Sequence, residues 1–243
     1  MDFLNTHSIY MPQLDRERTV RVLLPKDYEN AKRAYPVLYM QDGQNLFQPE
    51  TAFGGRDWQI PATLFKQPLR RQAIIVGIDN GQSDRLNEYA PYRNARMGGG
   101  EADLYCQFIV DTLKPFIDDN YRTLPDRENT GIAGSSMGGL LSYYAGLTRG
   151  NVFGKVGVLS PSIWFNPTVV ELAKNNPYDK SRFFVVGSKT EMKGMEAALQ
   201  SVYDAFKTGG FSDENFQVAV REKGKHSEFF WKLEFKKMFE YLF

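Results

Sequence analysis

Short apolar runs without polar interruption recur along the chain. They are Pro36-Val37-Leu38-Tyr39-Met40, Ala73-Ile74-Ile75-Val76-Gly77-Ile78, Lys155-Val156-Gly157-Val158-Leu159 and Phe183-Phe184-Val185-Val186-Gly187. Such runs predict strands covered on both faces, as in a parallel sheet. Arg18-Thr19-Val20-Arg21-Val22-Leu23-Leu24-Pro25 alternates instead, which predicts a half-exposed strand near a sheet edge. Phe216-Gln217-Val218-Ala219-Val220 is the last strand candidate. Between these runs the period lengthens. A helix is expected over residues 101–119, kinked or tightened at Pro115. Over residues 194–207, Met195, Leu199, Val202 and Phe206 share one helical face. Ser227 is placed to cap a final helix whose core-facing stripe is Trp231, Phe235, Met238 and Leu242. Residues 82–100 read as a long structureless loop, a feature that in compact domains is usually functional. Alternating strands and helices predict an α/β fold, a mostly parallel sheet with helices on both faces. No repeat, low-complexity segment or linker divides the chain, so one domain is expected over residues 1–243.

Composition narrows the function classes. Of 243 residues, 42% are apolar and 24% charged, with a net charge of +1, which points to neither nucleic acid nor a membrane surface as partner. Cys106 is the sole cysteine, so no intramolecular disulfide or cysteine metal cluster can form; it is expected as a small buried hydrophobe. Residues 1–7 carry no basic, apolar leader pattern, and no run reaches transmembrane length. As read, the chain is expected in the cytoplasm.

The chemistry gathers around Asn129-Thr130-Gly131-Ile132-Ala133-Gly134-Ser135-Ser136-Met137-Gly138-Gly139-Leu140. Gly134-x-Ser136-x-Gly138 fits a nucleophile elbow, with a β-like run before it and a helix-like run after it. The elbow serine takes a strained conformation, and glycines two residues to either side let strand and helix approach. A serine hydroxyl needs a base, and that base needs an orienting group. Only two histidines exist. His7 reads as a surface residue. His226 follows the last strand, at the edge where open α/β sheets place their sites, and is the expected base. For the orienting acid, Glu191 follows the run ending at Gly187. Its rivals are Asp179, before that run, and Glu196 and Asp204, on the next helix; a loop glutamate can equally be just solvated. Two amides should face the developing oxyanion: that of Met137, and that of Gln44 or, as a close rival, Gly43. Gly43 would let the Asp42-Gly43-Gln44-Asn45 loop turn, and Asp42 could be an ordinary turn residue. No metal-ligand spacing or phosphate-binding loop is present, so no metal or cofactor is expected; Gly98-Gly99-Gly100 lacks the preceding strand a phosphate loop needs.

Several blocks, taken together, resemble the esterase family of the α/β-hydrolase superfamily that includes enterochelin esterases, feruloyl esterases and esterase D. They are Val37-Leu38-Tyr39-Met40-Gln41-Asp42-Gly43-Gln44-Asn45-Leu46-Phe47; Ile75-Val76-Gly77-Ile78-Asp79-Asn80-Gly81 with Arg85, Glu88-Tyr89 and Pro91; Leu113-Lys114-Pro115-Phe116-Ile117-Asp118 with Tyr121-Arg122-Thr123; the elbow; Leu159-Ser160-Pro161-Ser162-Ile163-Trp164; Gly187-Ser188-Lys189-Thr190-Glu191; and Gly224-Lys225-His226-Ser227-Glu228 with Trp231. The resemblance runs from about Arg18 onward. It implies an α/β-hydrolase fold without a large cap, a Ser136–His226–Glu191 triad, an acyl-enzyme and a small-molecule ester substrate. It places Asp42, Asn45, Arg85 and Trp164 around that substrate. Arg85, Arg93 and Arg96 either meet an anionic or catecholate substrate or form salt bridges across the loop. Trp164 and Phe165 either wall the pocket or simply pack. The same triad could serve an acyltransferase, and the fold alone could serve a ligand-binding module.

Overall fold

The unbroken apolar runs become the centre of one sheet. The structure, a computed structural model, describes residues 3–178 and 180–243. Asp179, a rival for the orienting acid, lies outside the described residues, as do Met1 and Asp2 of the leader reading. Among the described residues the strands are β1 (Leu4–Met11), β2 (Arg16–Leu23), β3 (Val37–Gln41), β4 (Ile74–Ile78), β5 (Thr130–Ser135), β6 (Lys155–Leu159), β7 (Arg182–Ser188) and β8 (Phe216–Arg221). They form an eight-stranded sheet in the order β1-β2-β4-β3-β5-β6-β7-β8. β1 and β2 run antiparallel to their neighbours, and every pairing from β4 to β8 is parallel. The helices are α1 (Ile60–Leu64), α2 (Arg85–Tyr89), α3 (Ala102–Gln107), α4 (Lys114–Asn120), α5 (Met137–Thr148), α6 (Met195–Thr208) and α7 (Glu228–Leu242). This is the α/β-hydrolase fold, without a large cap.

Two cores explain the apolar runs. Successive strand side chains point to opposite faces, so a strand covered on both sides must be apolar throughout. Val37, Tyr39, Ile74, Val76 and Ile132 pack beneath α3, α5 and α6. Leu38, Met40, Ile75 and Ala133 pack on the other face against α1 and α7. The predicted stripes on α6 and α7 are buried residue for residue. Ser227 precedes α7 as expected, but its hydroxyl makes no capping bond.

Several expectations change. An unexpected strand, β1, forms the sheet edge, and β2 lies beside it, near the edge as expected. His7 lies on β1, half-buried, with Nε2 2.6 Å from the Tyr121 hydroxyl and its ring edge-on to Phe116. Polar residues alternate weakly along β1, which hid it. The 101–119 helix is not tightened ahead of Pro115 but widened. Phe108–Leu113 forms a wider π-helical segment between α3 and α4. Pro115 has no N–H to donate and its ring crowds the carbonyl four residues back; a widened turn just ahead accommodates both. Nor are residues 82–100 structureless. They contain α2, whose Glu88 is wholly buried and meets Arg18 at 2.6 Å and Arg16 at 3.1 Å. Local propensity could not reveal that tertiary anchor. Cys106 is buried as expected, and burial pushes its thiol up to about 12. Among the described residues, no helix is long and apolar enough to cross a membrane.

The contact of β5 with α5 depends on missing side chains. A Cβ on Gly134 would lie 2.6 Å from the Gly138 carbonyl carbon and oxygen. Gly134→Ala should therefore push α5 from β5 and lower stability by about 1–3 kcal/mol, read as a lower urea midpoint. An unchanged midpoint would contradict this packing.

Candidate active site

Parallel pairing brings the carboxyl ends of β3, β5, β6, β7 and β8 to one edge, and each contributes a loop there. After β5 the backbone turns at Ser136, with φ 57° and ψ −122°. A non-glycine residue at positive φ is strained by about 1–3 kcal/mol and persists only where its surroundings fix it. Here they do. The Ser136 amide donates to the Leu159 carbonyl at 2.9 Å, and its own carbonyl accepts from Leu140 and Ser162, each at 3.0 Å. The turn holds Ser136 at the amino end of α5, where the helix dipole favours negative charge.

Three side chains from separate loops meet in a line. Ser136 Oγ lies 2.9 Å from His226 Nε2, and His226 Nδ1 lies 3.1 Å from Glu191 Oε2. The Glu191 side chain is 0% exposed, which rules out a solvated loop glutamate. Its other oxygen accepts from the Ser188 amide at 2.6 Å. A buried carboxylate on Nδ1 favours the tautomer protonated there, in which Nε2 is a hydrogen-bond acceptor facing the Ser136 hydroxyl. Trp231 packs edge-to-face on His226 with centroids 4.9 Å apart, and its indole donates to Ser160 Oγ at 2.9 Å. The helix-borne rivals turn elsewhere: Glu196 faces Lys189, and Asp204 accepts from Gln200.

The loop after β3 also turns at a strained residue, and that residue is Asp42 rather than Gly43. Asp42 has φ 56°. Gly43 is needed for close approach, because a Cβ there would lie 2.5 Å from the Gly77 carbonyl carbon. The first turn bond after Asp42 is Asn45 N–H to Asp42 C=O, so the Gly43 and Gln44 amides precede it and have no partner within the turn. The Met137 amide likewise precedes the first bond of α5. Asp42 is clamped: Arg85 Nε and Nη2 donate to its two oxygens at 2.6 and 2.9 Å, and Asn80 Nδ2 donates at 2.7 Å. Burial opposes the Arg85 charge, but the Asp42 carboxylate outweighs it and raises the guanidinium's affinity for its proton. Arg85 thus spends its charge inside the protein, the salt-bridge alternative of the two.

Ser136, His226, Asp42, Gln44, Asn45 and Arg85 line one cavity of about 440 Å³. Glu191, Gly43 and Met137 are not among its lining residues; Glu191 reaches it through His226. Trp164 does not line it either. It is 53% exposed and lines a separate cavity of about 580 Å³ with Ile163, Met192 and Met195. Phe165 packs in the core, while Arg93 and Arg96 are exposed outside the Ser136 cavity. Sequence reasoning gave no role to Asn80, Tyr89, Ser162 or Glu228. Asn80 buttresses Asp42, the Tyr89 hydroxyl accepts from the Asp42 amide at 3.2 Å, and Ser162 Oγ lies 3.4 Å from Ser136 Oγ. Each sits within a quoted block, but its side chain acquires meaning only when another loop arrives. Among the described residues no His, Cys, Asp and Glu group is arranged to hold a metal ion.

The profile of the Esterase family, described as "Putative esterase", matches residues 11–241. The chain belongs to this family. As a member it is a carboxylic ester hydrolase. It is 24% identical over 240 residues to the uncharacterized protein YbbA of Bacillus subtilis, covering 93% of this chain and 92% of that one. It is 27% identical over 230 residues to the endo-1,4-beta-xylanase/feruloyl esterase of Xylanibacter ruminicola, covering 93% of this chain but 29% of that protein. The enterobactin esterase FES of Shigella flexneri shares the fold at TM-score 0.76 and 20% identity, over 98% of this chain and 58% of that one.

The Asp42–Arg85 pair is the main clamp on the β3 loop. Arg85→Met should cost about 2–3 kcal/mol, below a fully buried pair because the guanidinium keeps a wet face. Arg85→Lys should recover only part, since one ammonium cannot replace two parallel bonds. Denaturant unfolding of both variants checks this; equal stability of all three proteins would remove the clamp.

Proposed function

We propose that this esterase works through Ser136, His226 and Glu191 as a serine carboxylesterase. The reading is carried by the continuous path from Glu191 Oε2 through His226 to Ser136 Oγ. Ser136 attacks the ester carbonyl while His226 Nε2 takes its proton. Negative charge then develops on the carbonyl oxygen, beside the amides of Met137 and of Gln44 or Gly43. Such preorganised donors are worth more in the transition state than in the ground state, because the charge they face exists only there. His226 returns the proton to the departing alcohol, leaving an acyl-enzyme on Ser136. Water, deprotonated by the same imidazole, releases the acid and restores the serine. Glu191 keeps the imidazole tautomer fixed and offsets the charge on imidazolium.

The natural ester follows less directly. Feruloyl and siderophore esters are supported by the names of the relatives, a feruloyl esterase and an enterobactin esterase; an acetyl ester fits the same chemistry. The chain is proposed to act as one domain, since a single sheet carries all the contributing loops.

Ser136→Ala should reduce hydrolysis of a p-nitrophenyl ester by about 10⁴-fold or more and abolish labelling by a fluorophosphonate, read by intact mass. Glu191→Gln should keep the fold and lose about 10²–10⁴-fold in kcat. Full activity in Ser136→Ala would refute the mechanism.

A further inference from the structure

The charges around the Ser136 cavity are unequal. Arg85 is committed to both oxygens of Asp42, and its guanidinium also lies 5.1 Å from the centre of the Tyr89 ring. That pair is internally neutral. Glu228 lines the same cavity, on the first turn of α7, two residues beyond His226. Its side-chain contact is Asn45 Nδ2 at 3.5 Å, the outer limit of a hydrogen bond. Among the described residues no lysine or arginine forms an ion pair with it, and Arg93 and Arg96 stay outside the cavity. Burial raises the Glu228 pKa, Asp42 raises it further, and His226 and Arg85 pull it back. The cavity lining therefore holds two carboxylates, Asp42 and Glu228, against one guanidinium, Arg85.

The side of the scissile bond is fixed by the reaction. The departing alcohol must lie within reach of His226 Nε2 to receive its proton. Glu228 shares the cavity lining with His226 and senses its charge, so an alcohol held near Nε2 lies in the field of the Glu228 carboxylate. Asn45 and Asn80 also line the cavity, but their carbonyl oxygens already accept from the Phe53 and Gln82 amides at 2.9 and 3.0 Å, which leaves the Glu228 carboxylate as the acceptor open to a ligand.

We infer that this cavity is an acidic subsite for the alcohol portion of the ester, and that Glu228 sets its charge preference. It takes a neutral or cationic alcohol portion and turns away one bearing a carboxylate. The inference rests on Ser136 being the nucleophile. A polar or cationic group gains by giving hydrogen bonds to Glu228. An anion would meet like charge in a partly desolvated site, where repulsion is larger than in water.

The test uses three acetates of like size at pH 8: phenyl acetate, 3-acetoxybenzoate and 3-acetoxy-N,N,N-trimethylanilinium. kcat/KM is measured for the wild type, Glu228→Gln, Glu228→Asp and Ser136→Ala. Relative to phenyl acetate, Glu228→Gln should favour the anionic ester by about tenfold and disfavour the cationic one by about tenfold. Glu228→Asp should retain the wild-type order. In the wild type alone, high salt should narrow the gap between cationic and anionic esters; this reading stands even if Glu228→Gln folds poorly. If Glu228→Gln scales all three esters equally, or salt leaves the gap unchanged, the subsite inference falls while the serine mechanism stands. Hydrolysis that survives in Ser136→Ala refutes the mechanism and the inference together.

Discussion

The backbone turn at Ser136 is the constraint on which the site depends. A serine at φ 57° is held only because three backbone bonds, to Leu159, Leu140 and Ser162, tie it to β6, α5 and the loop after β6. The same turn brings Gly134 and Gly138 face to face, which seats α5 on β5. Strain at one residue is thus held by two almost wholly buried elements, β5 and α5. The result is a hydroxyl presented at a sheet edge and a helix amino end directed at the same point.

The other groups reach that point because the sheet is parallel from β4 to β8. Parallel strands put their carboxyl ends together, so loops separated by tens of residues open onto one edge. Glu191 and His226 come from neighbouring strands, β7 and β8, and meet at 3.1 Å. The β3 loop arrives from the opposite side of β5. It is held there by a second layer, in which Arg85, Asn80 and Tyr89 all bind Asp42. That layer is itself anchored through the buried Glu88 to Arg18 on β2, so the antiparallel margin of the sheet supports the chemistry at its centre.

Local sequence made much of this legible where one physical rule dominated. Unbroken apolar runs became β3, β4, β6 and β7 because both faces of each are covered. The stripes on α6 and α7 obeyed their period because each helix has one wet face. Ser136 stood out because its neighbours must be small, and His226 because only two histidines compete. The rule weakened where partners are distant. β1 was hidden by its polar edge position, and α2 by its dependence on Glu88. The widened turn before Pro115 is a compromise among packing contacts that no local propensity encodes. Trp164 illustrates the reverse case: it lies near the elbow's partner loop in sequence, yet its ring opens onto a different cavity.

The sequence by itself determined the layering, the elbow, the candidate nucleophile and base, and the kinship with the Esterase family, because each follows from residue type and spacing. Tertiary structure decided what the charges do. Glu191 reads as a solvated loop residue or an orienting acid until burial and the 3.1 Å contact with His226 separate the two. Arg85 reads as a ligand for an anion or a salt-bridge partner until Asp42 is seen to occupy it. Glu228 reads as a first-turn helix residue until the loops of β3 and β5 close a cavity over it. Electrostatic roles depend on distances between residues far apart in the chain, and only the folded arrangement sets those distances.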